Sequence, residues 1–345
     1  MEVSFQKVIE WFTFYDGEGK QIKRKTEVRI DPLTGESSRL VFDPGTTFTP
    51  PDYTEVAQQT EGVNCPFCPE NILKMTPVFP KEISESGRIF AGEAILFPNL
   101  FPYSKHNGVV TFSGNHYVKL DEFTPLMIKD AFIACQTYIK RVMLHDSRAK
   151  YASINWNYLP YSGGSIIHPH MHVIVSESPT NYQSKIQTEV EIFEARYGAN
   201  YFTSLYETEK KLGERWIGEH GNVAWIHAFA PKSHNDFIAI FPKAMSIHDV
   251  SENDWLDFSE SIQSIFAVLK EQGFSSFNMT LILPDESSGT SLHVRLIPRF
   301  TIGMLETSDM NFFQVLHQEP LTYKIPEKIA EKARNLFLKS KKSSF

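Results

Sequence analysis

His168-Pro169-His170-Met171-His172-Val173-Ile174-Val175 is the stretch on which the reading of this chain turns. Three histidines at i, i+2 and i+4 fall on one face of a strand, because side chains alternate with a period of two. Pro169 and Met171 between them, with Val173, Ile174 and Val175 beyond, pack that strand in place. A merely solvated strand gives no reason to gather imidazoles on one face, so the face reads as a chemical site. Neutral imidazole near pH 7 is nucleophilic toward a phosphate ester, and its phosphoramidate is labile enough to turn over. A backbone carbonyl or a second histidine can fix its tautomer.

Working outward, the strand belongs to a repeated pattern. Ser104-Lys105-His106-Asn107-Gly108-Val109-Val110-Thr111-Phe112 is answered by Lys232-Ser233-His234-Asn235-Asp236-Phe237-Ile238-Ala239-Ile240-Phe241. Each is followed by an apolar stripe at 3–4 spacing, which predicts helices over about Glu122 to Met143 and Glu252 to Gln272. Ser251 with Asp254 gives the second helix an N-terminal cap. A strand comes next in each copy (Tyr151 to Asn157, Phe274 to Leu283), then a Ser/Gly loop. The last strand of each begins near a histidine: His170 to Val175 and Leu292 to Pro298. Hairpin, helix, strand, loop, strand recurs at an offset of about 125–128 residues, and predicts two α+β units on antiparallel sheet. Helices over Gln183 to Tyr197 and Glu207 to Ile217 read as the connection between them. Residues 1–60, with turn signals at Asp16-Gly17, Asp31-Pro32 and Asp43-Pro44-Gly45, read as an irregular arm. The tail from Lys339 reads as a frayed end.

Composition narrows the function classes. A net charge of -7 argues against a general nucleic-acid binder. No apolar run reaches the length of a membrane span, and the N-terminus lacks the apolar core of a signal peptide. Three cysteines make no disulfide framework, and two of them form Cys65-Pro66-Phe67-Cys68; a reducing, cytoplasmic setting is expected. By itself this CxxC is open between zinc and thiol redox chemistry. Two prolines in an irregular region suit the redox reading poorly. Zinc needs two further ligands, for which His116 and His168 are the candidates; such a Cys2His2 site would be closed and structural.

Cys-x-x-Cys, then Ser113-x-x-His116, Asn157, Gly163-Gly164-Ser165 and His168-Pro169-His170, in that order, resembles the galactose-1-phosphate uridylyltransferase family of the histidine-triad superfamily. The likeness extends to Arg29-Ile30-Asp31-Pro32-Leu33-Thr34-Gly35 and to His317-Gln318-Glu319-Pro320-Leu321-Thr322, so it spans nearly the whole chain. It implies two tandem histidine-triad-like repeats, each an antiparallel half-barrel packed with helices. Residues 1–180 would carry the zinc site and the histidine strand. Residues 181–345 would be a degenerate repeat that completes the substrate site. It further implies His170 as covalent nucleophile and Cys65, Cys68, His116 and His168 as zinc ligands. Asn157 and Ser165 would hydrogen-bond the nucleotide phosphate, and Gln318 and Arg29 the sugar phosphate. A homodimer is implied as well, with small-molecule partners and neither nucleic acid nor membrane.

The departures from that family matter. Its members usually carry glutamine two residues after the nucleophile, where this chain has His172, as histidine-triad hydrolases do. Histidine can deliver a proton to a leaving group, so this position does not choose transfer over hydrolysis. Where some members hold a second metal through His-x-His, the chain has His293-Val294-Arg295, and the loop Leu283-Pro284-Asp285-Glu286-Ser287 offers no histidine. One metal per chain is therefore expected, with His293 a core histidine and Arg295 equally suited to a substrate phosphate or a carboxylate partner. The leading expectation is double-displacement transfer of a nucleoside monophosphate from a nucleotide-sugar to a sugar 1-phosphate. A phosphorylase or hydrolase of nucleotide-sugars or dinucleoside polyphosphates is the alternative within the superfamily. A zinc-stabilised nucleotide-binding protein without catalysis is the alternative outside it.

Overall fold

The computed structural model describes residues 2–43, 45, 47–283 and 291–343, with side chains through 339. The N-terminal stretch, expected to be irregular, instead forms a long ribbon. Strands β1 (Gln6–Tyr15) and β2 (Gln21–Ile30) pair antiparallel from Gln6↔Ile30 to Tyr15↔Gln21. Alternating aromatic and β-branched residues favour the extended chain, and Asp16 closes the turn by accepting from the Glu18 and Lys20 amides. Turn signals locate the ends of such a ribbon but not the alternation between them. β3 (Ser37–Leu40) extends this sheet. Two short helices follow, α1 (Thr54–Thr60) and α2 (Pro69–Met75).

The repeat is then laid out twice. First come β4 (Ile89–Ala91), β5 (Ala94–Pro98), β6 (His106–Thr111), helix α3 (Pro125–His145), β7 (Tyr151–Tyr158) and β8 (His170–Ser176). Thr124 caps α3 with Pro125 in its first turn, so the helix starts three residues later than the apolar stripe alone suggests. Connecting helices α4 (Asn181–Tyr197) and α5 (Tyr201–Leu212) lie between the copies. α5 starts at the Asn200 cap and stops at Gly213 in the left-handed conformation, so the predicted helix over Glu207 to Ile217 ran too late. The second copy is β9 (Trp216–His220), β10 (Val223–His227), β11 (Phe237–Ile240), α6 (Glu252–Glu271), β12 (Ser276–Leu283) and β13 (His293–Arg299). Ser251 and Asp254 form the expected capping box of α6. A small hairpin of β14 (Thr301–Ile302) and β15 (Thr307–Ser308), a one-turn helix α7 (Phe312–Val315) and β16 (Leu321–Thr322) lead to α8 (Pro326–Ser343). α8 stays helical through most of the tail expected to fray. Residues 284–287, in the loop noted for lacking histidine, lie outside the described residues.

The two copies share one sheet. Its ten strands run β4-β5-β6-β8-β7-β12-β13-β11-β10-β9, every neighbour antiparallel. Read from the β7–β12 seam outward, each half repeats the other, so the expected half-sheets meet edge to edge and the sheet does not close. One face is covered by α3 and α6, which pack through Phe132 against Trp255 and Phe258 at 4.9 and 5.1 Å between ring centroids. Gln136 makes that contact specific: its amide donates to the Ile247 and Val250 carbonyls and accepts from the Trp255 indole. Ile154, Trp156, Met171, Val173, Phe277, Leu281 and Val294 point into this core. The alternate residues, His170, His172, Asn155 and Asn157 among them, must then face the other way.

Candidate active site

On that opposite face, the first half of the sheet carries a cavity of about 270 Å³. Its walls include Phe67, Phe97 and Ile166, and its polar groups are Asn99, Asn157, Ser165, His170 and His172. The mouth is rimmed by Leu100, Phe101 and Tyr103, all largely exposed. Apolar walls with a few convergent polar groups are the usual make-up of a small-molecule site. A larger open cleft lies between the β1–β2 ribbon and α8, lined mostly by lysines and carboxylates without a histidine or thiol.

Of the three histidines expected on one strand face, only His170 and His172 lie in β8; His168 sits in the bend before it, and each has different surroundings. His170 Nδ1 lies 2.8 Å from the His168 carbonyl oxygen, which can only accept, so Nδ1 carries the proton and Nε2 keeps its lone pair. Burial holds His170 below its ordinary pKa, in the neutral form. Phe67 stands edge-on to its ring at 5.2 Å. His172 lies 5.4 Å away, ring to ring, and burial together with His170 lowers its pKa to about 4. Its Nδ1 is buried without a partner among the described residues, and Tyr103 flanks its ring.

His168 turns away from the cavity toward the CxxC. One ligand atom each from Cys65, Cys68, His116 and His168 lie within 4.8 Å of one another, and all four residues are buried. The two rings are already set for ligation. His168 Nε2 donates to the Ser113 carbonyl at 2.9 Å, and His116 Nε2 meets Thr60 Oγ1 at 2.9 Å. Each therefore offers Nδ1 toward Cys68 Sγ, at 3.8 and 3.2 Å. Ligand atoms around a tetrahedral ion sit about 3.3–3.8 Å apart, so small side-chain movements complete the site. Burial pushes the Cys65 thiol up to about 11. A redox CxxC needs the opposite shift, and a cation bound beside the sulfurs would supply the charge that stabilises thiolates. Cys68 does cap a helix, α2, with Pro69 in its first turn, but a turn rather than a buried strand leads into it. The four residues fit a metal ion.

The loop from β7 to β8 is held in strain. Leu159, buried, has φ 68 and ψ 166, a region that side chains other than glycine rarely enter, at a cost of about 1–3 kcal/mol. Gly164 follows with no room for a side chain: a Cβ there would stand 3.0 Å from the Asn157 carbonyl and 3.1 Å from that of Leu159. This tight path brings Ser165 to the cavity beside Asn157.

Arg29 and Gln318 are not among the residues lining the cavity. Arg29 is buried with its guanidinium engaged: Nε donates to Glu27 at 2.7 Å, and the two terminal nitrogens to Glu327 at 2.8 and 2.9 Å. Gln318 is exposed, with φ 55, after α7. Arg295 has taken the carboxylate partner, Asp236, at 2.8 and 2.9 Å. His293 is a core histidine, stacked on Phe202 at 4.2 Å, with Nδ1 on the Ser291 carbonyl. Asn278, from the second half, donates to the Asn157 side chain at 2.7 Å. Nothing in the local sequence of β12 marks it. Only the register across the seam does.

Comparison with known proteins fits this architecture. An uncharacterized protein of Archaeoglobus fulgidus is 32% identical over 336 residues, 97% of this chain and 99% of the relative. No protein-family profile matches the chain. Among solved structures, the ADP-glucose phosphorylase of Arabidopsis thaliana with bound ADP-glucose superposes with a TM-score of 0.69 at 17% identity, over 90% of this chain and 98% of that one. A GalT-like protein of Arabidopsis thaliana gives 0.68 at 16%, over 89% and 98%. A uridylyltransferase gives 0.66 at 16%, over 90% and 98%. At these identities the shared property is the fold.

Proposed function

We propose, for a chain that belongs to one family with the Archaeoglobus fulgidus protein and is built on the uridylyltransferase-like fold, nucleotidyl transfer through a covalent intermediate on His170. The observation that carries this reading is the fixed tautomer: a neutral imidazole, its Nδ1–H given to the His168 carbonyl, presents Nε2 to a cavity lined by hydrogen-bonding groups.

The mechanism follows from that geometry. Nε2 attacks the α-phosphorus of a nucleotide-sugar, forming a P–N bond. The P–O bond to the sugar phosphate breaks, and its electron pair leaves on a phosphate oxygen. Positive charge spreads into the imidazole, and the His168 carbonyl at Nδ1–H stabilises it. Asn157 and Ser165 supply hydrogen bonds to the phosphoryl oxygens as charge develops there. In the second half-reaction an acceptor oxygen forms the new P–O bond, and the P–N pair returns to Nε2. The acceptor of the leading reading is a sugar 1-phosphate. A second reading, phosphorolysis or hydrolysis, is favoured by His172: unlike an amide, its unpartnered ring can hand on a proton.

Zn²⁺ is the ion proposed for Cys65, Cys68, His116 and His168, one per chain, and its role there is structural. It ties the segment before α2 to the head of the histidine strand. Residues 1–180 and 181–345 are read as the catalytic and the degenerate repeat. Arg29 and Gln318 receive no role inside one chain. We also read the protein as a homodimer. Trp11, Phe12 and Tyr15, on the part of the ribbon that extends beyond β3, are about two-thirds exposed, an apolar surface that favours a partner. Sedimentation of wild type and Phe12→Asp tests this, a monomeric wild type refuting it.

Intact-mass analysis after incubation with UDP- and ADP-sugars tests the central claim. One nucleoside monophosphate should be added to wild type and none to His170→Ala; labelling of that variant would sink the mechanism. Turnover with sugar 1-phosphate, inorganic phosphate or neither then assigns the acceptor.

A further inference from the structure

The direction in which the Asn157 amide points decides whether it can bind a phosphate. Its two ends are nearly the same shape and opposite in function: Nδ2 attracts a phosphate oxygen, whereas Oδ1 repels it. A freely flipping amide would spend part of its time with the wrong end in the cavity.

The second half of the sheet removes that freedom. Asn278 lies directly across the seam, as the strand partner of Asn157. Its Nδ2 is 2.9 Å from the Ser162 carbonyl, which only accepts. Its Oδ1 is 3.1 Å from an Arg299 guanidinium nitrogen, which only donates. Those two neighbours permit one orientation of Asn278. The atom of Asn157 facing it at 2.7 Å must then be an acceptor, Oδ1. The Asn157 NH2 is thereby turned away from the seam, and among the described residues it has no hydrogen-bond partner. Arg299 is held in turn by Asp309, through bonds of 2.7 and 2.9 Å to the two carboxylate oxygens. That carboxylate side chain is 3% exposed. Each link is decided by donor and acceptor chemistry alone.

We infer that Asn278, Arg299 and Asp309 are positioning residues for the phosphate site: the half of the molecule without a nucleophile aims the amide donor of the half that has one. The inference rests on the nucleotide reading of the cavity, and it makes the site selective for an anionic group over the rest of the ligand.

The test is a coupling cycle read by calorimetric binding of AMP and UMP, with adenosine and uridine as phosphate-free probes. Asn278→Asp keeps the shape of the side chain and its contact with Arg299. It offers Asn157 an acceptor, drawing NH2 out of the cavity and turning Oδ1 in. Monophosphate affinity should fall about tenfold, the loss of a hydrogen bond to a charged group, with nucleoside affinity unchanged. Asn157→Ala should lose a similar factor. Asn278→Asp on the Asn157→Ala background should lose clearly less than on wild type, the remainder being repulsion by the added carboxylate, because the residue acts mainly through Asn157. Arg299→Met should give a smaller loss, silent on that background, and carries the same cycle if Asn278→Asp does not fold. Losses that add in the double variants, or nucleosides weakened as much as monophosphates, would overturn the inference and leave the nucleotide reading standing. Wild type that binds neither monophosphate would overturn the nucleotide reading itself, and the inference with it.

Discussion

The two halves of the sheet are the same construction with opposite outer faces. In the first, the face away from the helices is open, and imidazoles look into a cavity. In the second, α4 and α5 roof the equivalent face. Ile186, Val190, Tyr201, Phe202 and Leu205 pack on Ile226, Ile238 and Ile240. At the position matching His170 stands Arg295, closed off by Asp236 and the Tyr182 hydroxyl. The comparison teaches that the chemistry is separable from the scaffold. One copy keeps polar groups aimed into a cavity, and the other aims them at each other.

His170→Ala should cost the most, on the order of 10³-fold or more in turnover, with no covalent label. Arg295→His, which puts an imidazole at the matching place under the roof, should gain no label in a mass measurement. A label there would break the comparison.

Removal of the metal comes next. Cys68→Ser, or treatment with a strong chelator, should release the ion and lower stability on the order of 5 kcal/mol, read by elemental analysis and thermal melting. The loss should appear as exchange of amide hydrogens in α2 and at the start of β8, with β13 protected.

Asp236→Ala sharpens the contrast from the other side. It strands the buried Arg295 and should cost about 3–5 kcal/mol in urea unfolding. The folded fraction should still label on His170.

The smallest effect is electrostatic. Glu327 joins Arg29 of β2 to Arg215 between α5 and β9, beside the second half. Burial opposes its charge, but the hydrogen bond and charge of Arg29, with Arg215 behind them, win and lower its pKa to about 2 from 4.5. A depressed carboxylate pKa stabilises the fold above the unfolded value and loses that contribution as pH falls from about 4.5 toward 2. About 1–3 kcal/mol should go over that window, discounted for partial exposure. Glu327→Gln should flatten the slope in acid-dependent melting.

The site was legible where chemistry is written in local spacing. The alternation of His170 and His172, the two-residue gap of the CxxC and the Ser-x-x-His are all short-range, but His168, read on the same strand face, lies in the bend before β8 and turns the other way. The structure gathers Cys65, Cys68, His116 and His168 into one cluster and puts Asn157, Ser165 and His170 on one cavity. The helices were legible for the same reason, through apolar periodicity and, for α6, the Ser251 cap, whereas the caps at Thr124 and Thr180 emerged only in the structure. Arg29 shows the limit: its motif matched a substrate arginine, yet the guanidinium is engaged by Glu27 and by Glu327, 298 residues away. The ribbon of residues 6–30 was missed because β1 is exposed on both faces, so no burial-driven alternation marks it between the turns.

Local spacing therefore wrote the repeat, the CxxC and the histidines of β8, while the split between a CxxC-facing His168 and a cavity-facing His170 followed from the family resemblance. The tertiary structure alone decided that β7 pairs with β12, that α4 and α5 close the second face, and that Asn278 meets Asn157. Periodicity and spacing act over a few residues and leave a trace in composition. Strand register between segments 121 residues apart is set by the packing of the whole sheet, and no single stretch of the chain records it.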